Sequence, residues 1–107
     1  MKVLVTAIGG DVGQAIALVL KRHYPDCEIV GSDVKKIASK MDLVSKYLVS
    51  PSADDANFLG WMKQTILDHG ITVVIPASDA EVIALLETDD TGASVVGPSK
   101  SAVTISK

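Results

Sequence analysis

The residues with the clearest chemical potential form one turn, Thr6-Ala7-Ile8-Gly9-Gly10-Asp11-Val12-Gly13. Glycines let a backbone turn tightly and approach a ligand closely, and they aim the free N–H groups of a following helix outward as an anion site. Against the dinucleotide fingerprint G-x-G-x-x-G, Ile8 occupies the first glycine position, while Gly10 and Gly13 fit. Asp33 lies 20 residues beyond Gly13, where an acid that binds ribose would sit. Asp11 argues the other way, because its carboxylate would repel a pyrophosphate. Thr6, Gly10 and Gly13 also match the turn T-G-x-x-G-x-x-G, with Ala7 in place of a glycine.

A second polar segment, Pro76-Ala77-Ser78-Asp79-Ala80-Glu81, follows a run of aliphatic residues. Ser78 and Glu81 have the spacing of a capping box, in which each side chain satisfies a free backbone N–H. Asp79 is left unassigned by that cap, so capping and ligand contact are compatible. Other chemistry has little support. His23 and His69 sit at expected helix ends without partners at metal-ligand spacing. Cys27 is the sole cysteine and reads as a small buried residue. Neither Tyr24 nor Tyr47 has a lysine four residues on. No elbow motif for a serine nucleophile is present.

The elements that must position these turns are read from periodicity. An aliphatic run over 2–8 predicts a first strand. Val12, Ala15, Ile16, Val19 and Leu20 mark a helical face, closed by Lys21-Arg22-His23 and barred from continuing by Pro25. Residues 28–32 predict a second strand ending at Asp33, 35–42 a short irregular helix, and 46–49 a third strand. Ser52, Asp54 and Asp55 offer caps for a helix carrying Phe58, Leu59, Trp61, Met62 and Ile66 and ended by Gly70. Residues 71–75, 79–87 and 94–96 predict strand, helix and strand, with a last helix from about Ser99.

Alternation of this kind predicts an α/β fold, a Rossmann-like open parallel five-stranded sheet of order 3-2-1-4-5 with helices on both faces. Ligands bind such sheets at the carboxyl ends of the strands, where the order reverses. The composition agrees: 48% hydrophobic but only 4% aromatic, the aliphatic mix of strands buried on both faces. The 107 residues suit a single domain over 1–107. A net charge of −3 and no basic run longer than two argue against nucleic acid and anionic membranes as partners. The apolar run at the start is too short for a signal peptide, and no stretch approaches a membrane span, so a cytoplasmic location is expected.

Taken together, the two turns resemble the front (pre-ATP-grasp) domain of ATP-grasp enzymes, in particular the carbamoyl-phosphate synthase large-subunit group. The match runs through residues 3–14, Ile29-Val30-Gly31-Ser32-Asp33, Met41-Asp42, Val74-Ile75-Pro76-Ala77-Ser78-Asp79-Ala80-Glu81 and the stretch from Gly92. The departure is Ala7, where relatives often carry glycine. The resemblance implies a fragment of a longer carboxylate–amine ligase, inactive alone and with no catalytic residue of its own. It also implies a downstream ATP-grasp domain that uses ATP and Mg2+. Gly9, Gly10, Asp33, Ser78, Asp79 and Glu81 would then bind a small-molecule substrate. No cofactor is expected in the fragment itself, and a homo-oligomer is compatible with it. Two alternatives stay open: an NAD(P)-binding Rossmann domain of a reductase or epimerase, and a noncatalytic small-molecule-binding module.

Overall fold

A computed structural model describes residues 1–35, 44–86 and 94–95. Its elements run β1 (Lys2–Val5), α1 (Asp11–His23), β2 (Glu28–Asp33), β3 (Lys46–Val49), α2 (Phe58–His69), β4 (Val73–Ile75), α3 (Asp79–Leu86) and β5 (Ser94–Val95). All strand pairs are parallel, in the order β3-β2-β1-β4-β5. The Rossmann-like α/β sheet read from the sequence is therefore the fold. Its order reverses between β1 and β4, so the loops after β1, β2 and β4 share one end of the sheet.

Successive side chains of a strand point to opposite faces, and β1 feeds two cores. Val3 and Val5 join Ile8, Ala17, Cys27 and Ile29 on the α1 side. Leu4 joins Val30, Phe58, Met62, Ile66, Ile71, Val74 and Leu85 on the side of α2 and α3. Trp61, at the expected edge of this second core, is half-buried and stacks on Phe58 with ring centroids 6.5 Å apart. Cys27 is buried and unbridged, as a packing residue.

Several boundaries differ from expectation. β1 stops at Val5 because the chain turns at Ala7, whose φ of 50° is left-handed. β4 begins only at Val73, since Ile71 closes the turn after α2 by donating to the Ile66 carbonyl at 3.0 Å. Gly70 ends α2 with φ of 65°, as expected from a C-terminal glycine. Ser52, Asp54 and Asp55 do not cap α2 directly. They fold as a turn of their own, Ser52 Oγ donating to Asp54 at 2.6 Å and the Asn57 N–H to the Asp55 carboxylate at 2.8 Å. The helix expected over 35–42, the Met41-Asp42 match, the end of the fifth strand and the helix from Ser99 lie outside the described residues, in whole or from residue 36 onward.

The face of α1 is also rotated from the one expected. Gly13 and Ala17 are buried, with Ile16 and Leu20 half-buried, whereas Val12, Ala15 and Val19 face outward. Small residues meet the sheet because helix and strand approach closely there. No helix among the described residues is long and apolar enough to cross a membrane.

Candidate functional site at the carboxyl ends of the strands

The glycine-rich turn is built from backbone bonds. The Thr6 N–H donates to Ile75 O at 3.2 Å and the Ile8 N–H to Ser32 O at 3.0 Å, tying the turn to both neighbouring strands. Gly10 N–H donates to Ala7 O at 3.1 Å, and Gln14 Nε2 holds Ile8 O at 2.6 Å. Ile8 is not a loop residue in effect: its side chain is wholly buried and fills the space that a Cβ on Gly31 would need. Ala7, not Ile8, therefore carries the left-handed turn, which places the loop in the T-G-x-x-G-x-x-G register. Gly13 packs so closely under that turn that an added Cβ would stand 2.5 Å from the Ala7 carbonyl oxygen.

A left-handed alanine costs roughly 1 kcal/mol against glycine. Ala7→Gly is accordingly expected to raise the unfolding free energy by about 0.5–1 kcal/mol, despite the looser unfolded chain that glycine brings. Urea unfolding measures this. A loss of stability would show that the turn does not need the left-handed conformation.

Asp33 connects the ends of β1 and β2. Its carboxylate accepts the Gly9 N–H at 2.9 Å and its neighbour's Val34 N–H at 2.7 Å. At the end of β4, Ser78 and Glu81 form the expected cap in altered form. The Glu81 N–H donates to Ser78 Oγ at 3.3 Å, while Ser78 Oγ donates to the Glu81 carboxylate at 2.7 Å. Thr6, fully buried, accepts the Ala77 N–H at 3.1 Å and joins the two turns across the order reversal. Burial raises the pKa of the Glu81 carboxyl; hydrogen bonds from Ser78 and Thr6 oppose this, and the nearby Asp33 charge adds to it. Its ionised form is thus less favoured here than it would be in water. Tyr47, whose hydroxyl donates to the Lys35 carbonyl, is likewise raised by burial and then by Asp33.

These groups surround a crevice of about 390 Å³ lined by Ala7, Asp33, Val34, Ser52, Ala53, Asp54, Ser78, Ala80 and Glu81. Asp33, Ser78 and Glu81 are brought together as the sequence suggests. Gly9 reaches the crevice only through its bond to Asp33, and Gly10 is exposed at the N-cap of α1. Asp79 is exposed and does not line the crevice. Ser52 and Asp54, which the sequence offers only as helix caps, also line it. Their short spacing from Pro51, at the end of β3, was the available signal that they border the same end of the sheet. Among the described residues, no cluster of His, Cys, Asp and Glu has the arrangement of a metal site.

No protein-family model and no curated protein matches the chain. Solved structures do. A dTDP-glucose 4,6-dehydratase from Bacillus anthracis str. Ames, in complex with NAD, superposes with a TM-score of 0.58 at 16% identity, over 81% of this chain and 32% of that one. A GalE-like L-threonine dehydrogenase from Cupriavidus necator gives 0.60 at 20% identity, over 81% and 32%. The L-threonine dehydrogenase of Phytophthora infestans gives 0.63 at 14% identity, over 89% and 34%. The chain thus spans about a third of the length of each, and at these identities the likeness is one of fold. It overturns the ATP-grasp resemblance: the similar folds belong to dehydratases and dehydrogenases. The carbamoyl-phosphate-synthase-type ligase reading, with its ATP and Mg2+ and its cofactor-free front domain, gives way with it. The matched segments are turns at strand ends, which recur on Rossmann-like sheets of many functions.

Proposed function

We propose that the chain is a nicotinamide-dinucleotide-binding Rossmann domain of a reductase- or epimerase-type enzyme. The observation that carries this reading is the junction of the left-handed turn at Ala7 with Asp33, at 2.9 Å from the Gly9 amide. The turn leads through Gly10 into α1, whose free N-terminal amides and positive dipole end suit a pyrophosphate. Gly13 lets the helix sit against the turn. Asp33, at the end of β2, suits the hydroxyls of a ribose and repels a 2′-phosphate, so NAD is favoured over NADP. The fold likeness to a dehydratase solved with NAD supports the same reading. Because neither Tyr24 nor Tyr47 is followed by a lysine at the fourth position, the chain is assigned nucleotide binding and not proton transfer.

Fluorescence titration of the purified chain with NADH and NADPH tests this. Micromolar NADH binding is expected, with NADPH at least about tenfold weaker, a difference of about 1.4 kcal/mol, and Asp33→Asn should narrow the gap. Absence of binding for either dinucleotide up to about 1 mM, the range of −4 kcal/mol affinities, would sink the proposal.

A specific observation favours a second reading, a noncatalytic small-molecule module. The crevice is lined by the carboxylates of Asp33, Asp54 and Glu81 and the hydroxyls of Ser52 and Ser78, with no cationic side chain among its lining residues. Such a lining suits an amine or a polyol. Binding of either, with no response to dinucleotide, would establish it instead.

A further inference from the structure

We propose that the outward face of α1 is a homodimer interface, the helix packing antiparallel on the same helix of a second copy. At 100° per residue, Asp11, Val12, Ala15, Leu18, Val19 and Arg22 fall on one side of the helix, opposite Gly13, Ala17 and Leu20. Gly13 is buried against the glycine-rich turn and Ala17 against the sheet. On the outward side Val12, Leu18 and Val19 are 60%, 44% and 53% exposed. A surface helix normally turns polar residues outward, and one that is apolar on both sides is covered on both.

The residues at the ends of this face identify what covers it. The apolar band is closed by acidic Asp11 at one end and basic Arg22 at the other, beside Lys21 and His23. A two-fold axis near the middle of the helix sets Asp11 against the Arg22 of the second copy, and Ala15 against its Leu18. Both charges and both apolar bands are satisfied at once by one self-complementary patch, as an isologous contact requires. A parallel arrangement would instead oppose like charges. Ala15 at the centre lets the axes approach to roughly 8–10 Å. One helix pair covers less than the roughly 1,200–2,000 Å² of stable complexes, so the dimer is a weak one, dissociating at about 10–100 µM.

Sedimentation equilibrium from about 10 µM to about 1 mM, the span of weak association, tests the proposal. The chain should shift from monomer to dimer across that range. Leu18→Asp and Val19→Asp should each weaken association at least about tenfold while leaving the urea midpoint unchanged, because both sites are exposed. Asp11→Arg and Arg22→Asp should each weaken it severalfold, and the two together should restore it. A chain that stays monomeric throughout would overturn the proposal and show that a different partner or segment covers this face. Dimerisation that survives Leu18→Asp would overturn it as well.

Discussion

Gly13→Ala should destabilise the domain by about 3 kcal/mol, the upper range for overpacking a well-filled site. The added Cβ would stand 2.5 Å from Ala7 O, 2.8 Å from Ile8 Cα and 3.1 Å from Ala7 C. All three are backbone atoms, so no side chain can swing aside. The first turn of α1 must lift from the loop, and that loop is pinned on both sides by the Thr6–Ile75 and Ile8–Ser32 bonds. Strain therefore passes to β1, which stands at the centre of the sheet. Gly60→Ala is the matched control: nothing lies within 4 Å of its Cβ, and a glycine in a helix interior costs about 1 kcal/mol against alanine. That variant should gain up to about 1 kcal/mol. Urea unfolding of the pair decides the matter; equal stability of Gly13→Ala and the parent would show that helix and turn do not meet as described. If the nucleotide reading holds, Gly13→Ala should also lose dinucleotide binding at temperatures where it remains folded.

The contrast between Gly13 and Gly60 shows what kind of information the sequence carried. The order of the strands followed from alternation and from the handedness of parallel crossovers, both properties of whole elements. The inward face of α1 did not, because periodicity weights large apolar residues, whereas the sheet accepts Gly13 and Ala17 where the backbones come close. Val12 and Val19, large and apolar, therefore fit the inward pattern by periodicity but face outward. Ser78 and Glu81 were legible because a capping box has fixed spacing, and Asp33 because its distance from Gly13 follows from a helix and a strand of ordinary length. Thr6 was hidden inside an aliphatic run. Its role depends on a bond to Ala77, 71 residues away, which no local pattern encodes. The ATP-grasp resemblance failed on the same ground: the matched turns report how strands end on this type of sheet, and function is set by the ligand groups placed around them.

Phe58→Ala should have a comparable or larger effect, about 3–5 kcal/mol for a buried aromatic side chain. Phe58 is 1% exposed and shares its cluster with Leu4, Val30, Met62, Ile66, Val74 and Leu85. Besides Met62 and Ile66 of α2 itself, the members of that cluster lie on β1, β2, β4 and α3, so Phe58 belongs to the core that seats α2 on the central strands. Its removal leaves a cavity that Trp61, the half-buried stacking partner, can fill only by leaving its own place. The consequence for the crevice is direct. The Phe58 N–H donates to Asp55 O at 3.0 Å, and the Asp55 N–H to Ser52 O at 2.9 Å, so the turn that carries Ser52 and Asp54 is anchored by the first residue of α2. A ligand held by that turn should therefore bind more weakly in Phe58→Ala than the loss of folded protein alone explains. Leu67→Ala, on the same helix but 77% exposed, should change stability by less than about 0.5 kcal/mol. Calorimetric or urea unfolding of the two variants is the measurement. If Phe58→Ala costs no more than Leu67→Ala, α2 does not pack on the sheet through this residue, and the wall of the crevice formed by Ser52 and Asp54 loses its support.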